Sequence, residues 1–91
     1  MLKPKYSKKF KKDVKRVEHN KIVMLALREV IEKLLSQQLL NENKCDHALN
    51  GNWIGHRECH VKPDVLLIYK VDEDNGILFL ERLGTHSDLF K

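Results

Sequence analysis

The chain has 91 residues, of which 42% are hydrophobic and 33% are charged, and its formal net charge at pH 7 is +4. This length and composition are typical of one soluble globular domain, so we expect residues 1–91 to form a single domain. The longest apolar run, residues 22–27, is far shorter than the ~20 residues that span a bilayer, and the N terminus lacks the apolar segment of a secretory signal. We therefore expect a cytoplasmic protein that does not enter a membrane.

Positive charge is concentrated in the first part of the chain. Residues 1–16 contain eight Lys or Arg and one Asp, a net charge of +7, whereas residues 17–91 contain nine Lys or Arg and twelve Asp or Glu, a net charge of −3. Such a basic segment indicates a polyanionic partner such as nucleic acid, or else a solvated helix face. The basic residues that we expect to bind RNA are Lys8, Lys9, Lys11, Lys12, Lys15 and Arg16.

A short strand and two helices are predicted for the first half of the chain. Residues 1–6 fit an edge strand, and Ser7 is a good N-cap for the helix that follows. Phe10, Val14 and Val17 recur at the spacing of one helix face. Asn20 is the predicted cap of a second helix. Its wide apolar stripe is formed by Val23, Leu27, Val30, Ile31, Leu34 and Leu35.

The second half is predicted to form strands. After a polar connection at residues 37–46, residues 53–61 are predicted to be a strand, and the Pro-containing segment 62–64 a turn. The apolar segment 65–71 predicts a central strand. Asn75-Gly76 indicates a hairpin turn at residues 72–76, before a further strand at residues 77–83.

Residues 85–91 are predicted to form a tail with one helical turn. The elements together predict an α+β fold in the order β-α-α-β-β-β. In this fold, one face of an antiparallel-rich sheet is covered by a hairpin of two helices.

Three of the five histidines, His47, His60 and His86, fall at predicted strand ends or in loops, together with Asp64. Histidine gives or takes a proton near neutral pH. This set suits RNA cleavage, in which the 2′-hydroxyl of the RNA attacks the adjacent phosphorus. The reaction needs a base, an acid and positive charge near the phosphorane, and it requires no cofactor.

Two arginines of the second half, Arg57 and Arg82, have the planar, forked group that suits phosphate binding. The alternative is that they pair with the neighbouring Glu58 and Glu81 on the sheet surface.

Zinc binding is a further alternative, because Cys45, His47, Cys59 and His60 are all zinc-ligand types. Their spacing matches no common zinc motif, and adjacent residues of a strand point to opposite faces. The cysteines do not form a C-x-x-C pair, and nothing in the sequence suggests an oxidising compartment, so we expect both to be free thiols.

Four ordered segments carry a resemblance to a known family. Residues 46–53, DHALNGNW, are similar to a D-H-x-L-x-G-x-W element, and residues 57–64, RECHVKPD, to an R-[DE]-x-H-[VI]-x-P-D element. Residues 66–69, LLIY, resemble an L-[LI]-[VI]-Y strand, and residues 82–90, RLGTHSDLF, resemble R-x-G-[TS]-H-x-x-L-F. These motifs are those of YafQ-like toxins in the RelE/ParE-type superfamily.

The resemblance implies a RelE-like fold and the toxin role in a type II toxin–antitoxin system. It implies cleavage of translated mRNA on the ribosome, and neutralisation by an antitoxin with an acidic C-terminal segment. The family's site residues fall on His47, His60, Asp64, His86 and the aromatic Phe90, which could stack on a base.

One position departs from the family pattern: Val65 occupies the place of a Trp that is implicated in activity. A base-stacking interaction is therefore expected to be absent there or supplied elsewhere. Three alternatives stay open at this point: a ribosome-independent ribonuclease, a gyrase-targeting toxin of the same fold, and a catalytically degenerate toxin.

Overall fold

The computed structural model describes residues 1–90, in which a mostly antiparallel sheet has the strand order β1-β5-β4-β3-β2. The strands are β1 (Lys3–Tyr6), β2 (His47–Ala48), β3 (Arg57–Lys62), β4 (Val65–Asp72) and β5 (Ile77–Gly84). β1 pairs with β5 in parallel, and the other neighbours are antiparallel. The predicted α+β class is confirmed.

Three helices accompany the sheet: α1 (Lys8–Val17), α2 (Lys21–Leu35) and the short α3 (His86–Leu89). Both predicted caps are present. The Ser7 hydroxyl accepts a hydrogen bond from the Phe10 N–H, and the Asn20 side chain accepts from the N–H groups of the first turn of α2. Within residues 1–90, no helix is long and apolar enough to cross a membrane.

The segment before β3 differs from the prediction. Residues 51–53 form a 3-10 turn rather than the start of a strand, and β3 begins only at Arg57. Gly51 and Gly55 adopt φ angles of 64° and 89°, which are incompatible with an extended strand. The two-residue strand β2, which pairs with the start of β3, was not predicted. Five strands therefore replace the expected four.

The two faces of the sheet are covered unequally. Side chains of β3, β4 and β5 that point to one face pack with α1 and α2 in the main core; they include Cys59, Val65, Leu67 and Tyr69. On the opposite face, which we call the open face, Leu66 and Ile68 of β4 form a small cluster with Leu89 of α3. Leu49, Trp53 and Phe90 pack against that cluster. Because successive side chains of β4 point to opposite faces, one face of the sheet is packed in the main core and the other is more accessible.

Asp13 fastens the basic helix α1 to the sheet. β1 pairs with β5 only as far as Leu80, so the later part of β5 has an unpaired edge. There the buried Asp13 carboxylate accepts hydrogen bonds from the Leu83 N–H at 2.9 Å and from Arg82 Nε at 2.8 Å. Arg16 also pairs with Asp13. Burial by itself raises the pKa of Asp13, but the hydrogen bonds and positive charges outweigh it and hold this pKa below its ordinary value.

Candidate active site on the open face of the sheet

Two histidines meet a buried carboxylate on the open face. His47 of β2 lies directly opposite Glu58 of β3, and His60 follows two residues later on the same side of β3. The Nε2 atoms of His47 and His60 are each 3.8 Å from the same oxygen, Glu58 Oε1. The other ring nitrogen of His47, Nδ1, is 2.6 Å from the Cys45 carbonyl oxygen.

His60 also lines a cleft with two other predicted site residues. This cleft has a volume of about 280 Å³ and is bordered by His60, Pro63, Asp64, Leu66, Thr85, His86 and Ser87. The turn between β3 and β4 supplies Asp64, and the start of α3 supplies His86. The structure therefore brings together three of the four predicted acid–base residues, and it places the fourth, His47, across Glu58 from His60.

A capping box holds the His86 end of the cleft. The Thr85 hydroxyl accepts from the Asp88 N–H, and the Asp88 carboxylate accepts from the Thr85 N–H, both at 3.1 Å. The ring of Phe90 packs against that of His86, with 4.9 Å between centroids. Phe90 is half-buried in the open-face cluster, so one part of the ring remains accessible beside the cleft.

Glu58 is a further candidate site residue, which was not among the predicted acid–base residues. The sequence suggested it only as a surface partner of Arg57, yet it is 5% exposed and lies between two predicted catalytic histidines. Strand alternation from His60 was the available signal, because residues two apart on β3 share a face.

Neither arginine proposed to bind phosphate points into the cleft. Arg57 alternates with Glu58 and lies on the helix-covered side at the sheet edge, where its Nε is 3.2 Å from Asp46 Oδ1. Arg82 donates through two nitrogens to the buried Asp13. The guanidinium of Arg82 is committed to a buried carboxylate, whereas the side chain of Arg57 remains 44% exposed, and phosphate binding by either arginine stays a prediction.

The alternative, in which the two arginines pair with Glu58 and Glu81, is not what the structure shows, because their partners are Asp46 and Asp13. Glu58 faces the histidines, and Glu81 contacts His56, whose Nε2 is 3.3 Å from Glu81 Oε2. The His56 ring meets Trp53 edge-on, with 5.2 Å between centroids. Residues 49–56 are thereby held across the open face.

The basic residues of α1 lie outside the cleft. Lys8, Lys9, Lys11, Lys12, Lys15 and Arg16 are all exposed on the helix. Asp13 links this helix to the end of β5 that continues directly into Thr85 and His86. A larger groove, of about 560 Å³, lies between α1 and α2, but its walls are mainly apolar side chains such as Phe10, Val14 and Met24.

The four zinc-type residues do not form one site. Cys59 belongs to the main core, where burial raises the pKa of its thiol to about 12, whereas His60 lies on the opposite face. Both cysteines are free thiols, as expected. Within the part of the chain that the structure describes, no three His, Cys, Asp or Glu side chains are grouped closely enough to hold a metal ion.

Several known proteins are similar to this chain over almost its whole length. The mRNA interferase toxin YafQ of Escherichia coli K12 is 40% identical over 86 residues, which are 93% of this chain and 91% of that protein. A crystal structure of a metal-bound toxin from Helicobacter pylori has a TM-score of 0.91 and 43% identity, and the match covers 99% of this chain and all of that one.

The YafQ chain in the crystal structure of the E. coli DinJ–YafQ complex has a TM-score of 0.86 and 36% identity, with both chains fully covered. The family model described as a bacterial toxin of type II toxin–antitoxin system, YafQ, matches residues 2–91. The family expected from the four sequence motifs is thereby confirmed. The chain belongs to the YafQ family of toxins from bacterial type II toxin–antitoxin systems.

Proposed function

We propose that this chain is an endoribonuclease that cleaves translated mRNA on the ribosome, without a metal ion, by acid–base catalysis. The observation that carries the proposal is the cleft on the open face. His60, Asp64 and His86 line it together, and His47 lies across Glu58 from His60. These groups supply proton acceptors and donors on several sides of one small space.

The reaction is an internal transfer at phosphorus. The 2′-oxygen of the RNA forms a bond to the adjacent phosphorus while the bond from phosphorus to the 5′-oxygen breaks, which leaves a 2′,3′-cyclic phosphate and a 5′-hydroxyl. A base removes the 2′-hydroxyl proton, and an acid protonates the departing 5′-oxygen. His60 belongs to β3, Asp64 to the turn that follows and His86 to α3, while His47 of β2 lies beyond Glu58, so base and acid come from different elements.

Negative charge on the phosphorane needs a positive partner. Because Arg82 is bound to Asp13, we assign this role to a protonated imidazole in the cleft rather than to Arg82. Phe90 is placed to stack on a base beside His86. Val65 is buried in the main core, so position 65 offers no stacking surface, and Phe90 takes the larger part of base binding.

We base the ribosome dependence on the small number of aromatic side chains with which the chain could bind a free RNA strand. Proteins that bind single strands without sequence preference use several stacking platforms. Among the residues described, no Phe, Tyr or Trp lines the cleft, and Phe90 lies beside it against His86. The ribosome supplies the missing positioning, which is worth several kcal/mol of barrier in well-oriented reactions. The exposed basic face of α1 is the proposed contact with ribosomal RNA.

An antitoxin is the proposed second partner, since the YafQ protein of E. coli forms a complex with DinJ. We propose that an acidic C-terminal segment of the cognate antitoxin docks on the basic residues of α1. Charge complementarity of this kind speeds association and makes it depend on salt. The affinity of the complex is therefore expected to fall as salt increases.

The decisive experiment is expression of the chain without antitoxin, combined with primer extension on cellular mRNAs. We expect growth arrest and cuts within codons of translated messages only. Arrest with intact mRNA would indicate a gyrase-type target, and normal growth at confirmed soluble expression would indicate a degenerate toxin. In vitro, cleavage should require ribosome-bound mRNA and persist in excess EDTA. Equal cleavage of naked RNA would instead identify a self-sufficient ribonuclease.

A further inference from the structure

The segment that delivers His47 to the site is fixed on both sides of Cys45. Before it, Lys44 donates through Nζ to the Val61 carbonyl at 3.2 Å. After it, Asp46 Oδ1 accepts from the buried Tyr69 hydroxyl at 2.5 Å, and also from the neighbouring Arg57 at 3.2 Å. These hydrogen bonds fix the backbone on both sides of Cys45 at the exposed edge of the sheet.

Cys45 itself has a left-handed backbone conformation, with φ 50° and ψ 41°. Its N–H donates to the Glu42 carbonyl at 3.0 Å and ends the 3-10 turn of residues 42–44. Its own carbonyl oxygen is 2.6 Å from His47 Nδ1. A carbonyl oxygen only accepts hydrogen bonds, so the proton of this bond belongs to Nδ1.

We propose that Cys45 is a positioning residue whose backbone carbonyl fixes His47 as the Nδ1–H tautomer. The lone pair of neutral His47 is then on Nε2, the atom that faces Glu58 Oε1 at 3.8 Å. Nε2 is therefore the only ring atom through which His47 exchanges protons with a substrate. The catalytic part of this inference depends on the proposed ribonuclease function, whereas the tautomer does not.

The surroundings also fit the protonated ring. When Nε2 takes up a proton, both N–H groups of the cation point to acceptors, Nδ1–H to the Cys45 carbonyl and Nε2–H toward the Glu58 carboxylate. No movement of the ring is needed between the two states. The half-exposed His47 side chain thus has a defined orientation although water reaches it.

The backbone conformation of Cys45 provides the means of testing its role. The left-handed region is open to Gly, and it is strongly unfavourable for β-branched residues. Cys45→Gly keeps this conformation and removes the thiol, whose only nearby acceptor within residues 1–90 is the Asn43 carbonyl at 3.8 Å. Cys45→Val disfavours the conformation and moves the carbonyl. The pair of variants separates the backbone from the sulfur.

The direct measurement is the imidazole ¹H–¹⁵N long-range correlation spectrum of the free, ¹⁵N-labelled chain, at a pH where the rings are neutral. Histidine in water favours the Nε2–H tautomer, so a Nδ1–H pattern for His47 would be a specific signature. We expect that pattern in the parent and in Cys45→Gly, and a shift toward Nε2–H in Cys45→Val. A Nε2–H pattern for His47 in the parent overturns the proposal.

The functional measurement is single-turnover cleavage of ribosome-bound mRNA. We expect Cys45→Gly to retain the parental rate and Cys45→Val to lose about tenfold or more in rate, with ribosome affinity unchanged. If Cys45→Val changes the tautomer but cleaves at the parental rate, Cys45 has no positioning role. A parent chain with the Nδ1–H tautomer and no nuclease activity would refute the ribonuclease proposal and leave the tautomer assignment standing.

Discussion

One carboxylate is buried on each face of the sheet, and the two carboxylates differ in the hydrogen-bond donors that surround them. On the helix-covered side, Asp13 is 2% exposed and is surrounded by donors from Arg16, Arg82 and the Leu83 backbone. On the open face, Glu58 is 5% exposed, yet among residues 1–90 the basic side chains within 4 Å of its carboxylate are two imidazoles at 3.8 Å.

We expect this difference to distinguish a carboxylate that stabilises the fold from one that takes part in chemistry. A buried charge that is fully hydrogen-bonded holds elements together, and its loss leaves a partner unpaired. A buried carboxylate that faces imidazoles has a strong electrostatic partner only when an imidazole is protonated. Such an arrangement contributes little to stability and is typical of groups that transfer protons. Four changes test this comparison.

The largest effect is expected from the cleft histidines. His60→Ala and His86→Ala each remove a proton-transfer group, so cleavage of ribosome-bound mRNA should fall by about 10²–10⁴-fold. Circular dichroism and thermal unfolding should remain close to the parent, because both side chains lie at the rim of the cleft. The control is His19→Ala in the exposed link between α1 and α2. Parental toxicity of both cleft variants would refute the site assignment.

A large effect on stability, rather than on chemistry, is expected from Asp13→Asn. The change leaves Arg82 without its anionic partner, and the free energy of unfolding should fall by about 3 kcal/mol in urea titrations. Because the pKa of Asp13 is lowered in the fold, its contribution to stability is present above the ordinary carboxyl pKa and is lost as the pH falls through the folded value. Asp13→Asn should remove this acid-side loss. An unchanged acid dependence would count against the assignment.

The matched change on the open face, Glu58→Gln, should behave in the opposite way. It preserves the shape of the side chain and removes a buried charge that lacks strong donors, so the free energy of unfolding should stay within about 1 kcal/mol of the parent or rise. Cleavage should fall about tenfold, because the two imidazoles lose the carboxylate that faces them. If Glu58→Gln destabilises the fold as much as Asp13→Asn does, the two faces do not differ in this way.

The smallest effect per residue is expected on the basic helix. Replacing Lys8, Lys9, Lys11 and Lys12 by Gln should weaken ribosome binding and lower its salt dependence by about 0.7–0.9 in logarithmic slope for each phosphate that the helix no longer neutralises. The control replaces Lys21, Lys33 and Lys70, which lie outside α1. Filter binding at several salt concentrations measures both sets. An equal loss of affinity in the control would show that overall charge, and not this helix, is responsible.

Features that depend on neighbouring residues were predictable from the sequence. The caps at Ser7 and Asn20 follow from residue type and position, and the turn at residues 72–76 follows from Asn75-Gly76. Three of the four acid–base residues line one cleft as the motifs implied, but their roles stay predictions until variants are measured.

Interactions between distant parts of the chain were not predictable in the same way. Arg82 pairs with Asp13, 69 residues away, and nothing local in the sequence favours that partner over the adjacent Glu81. The 3-10 turn at residues 51–53 arises because two glycines take positive φ angles, although apolar residues nearby suggest a strand. Tertiary interactions determine the partner of Arg82, and glycine conformations determine the 3-10 turn at residues 51–53.

The pairing of β1 with β5 has a consequence for the order in which the molecule folds. This pairing joins the first and last strands of the chain, and the hydrogen bond from the Ser7 hydroxyl to the Glu81 carbonyl closes a separation of 74 residues. Closing so long a loop costs conformational entropy that only many simultaneous interactions offset. The end of β5 anchors both α1 and the segment that carries His86. We therefore expect α1 and the cleft to form in the same cooperative step, so that refolding is slow and no intermediate contains α1 docked on the sheet without the cleft, or the cleft without α1.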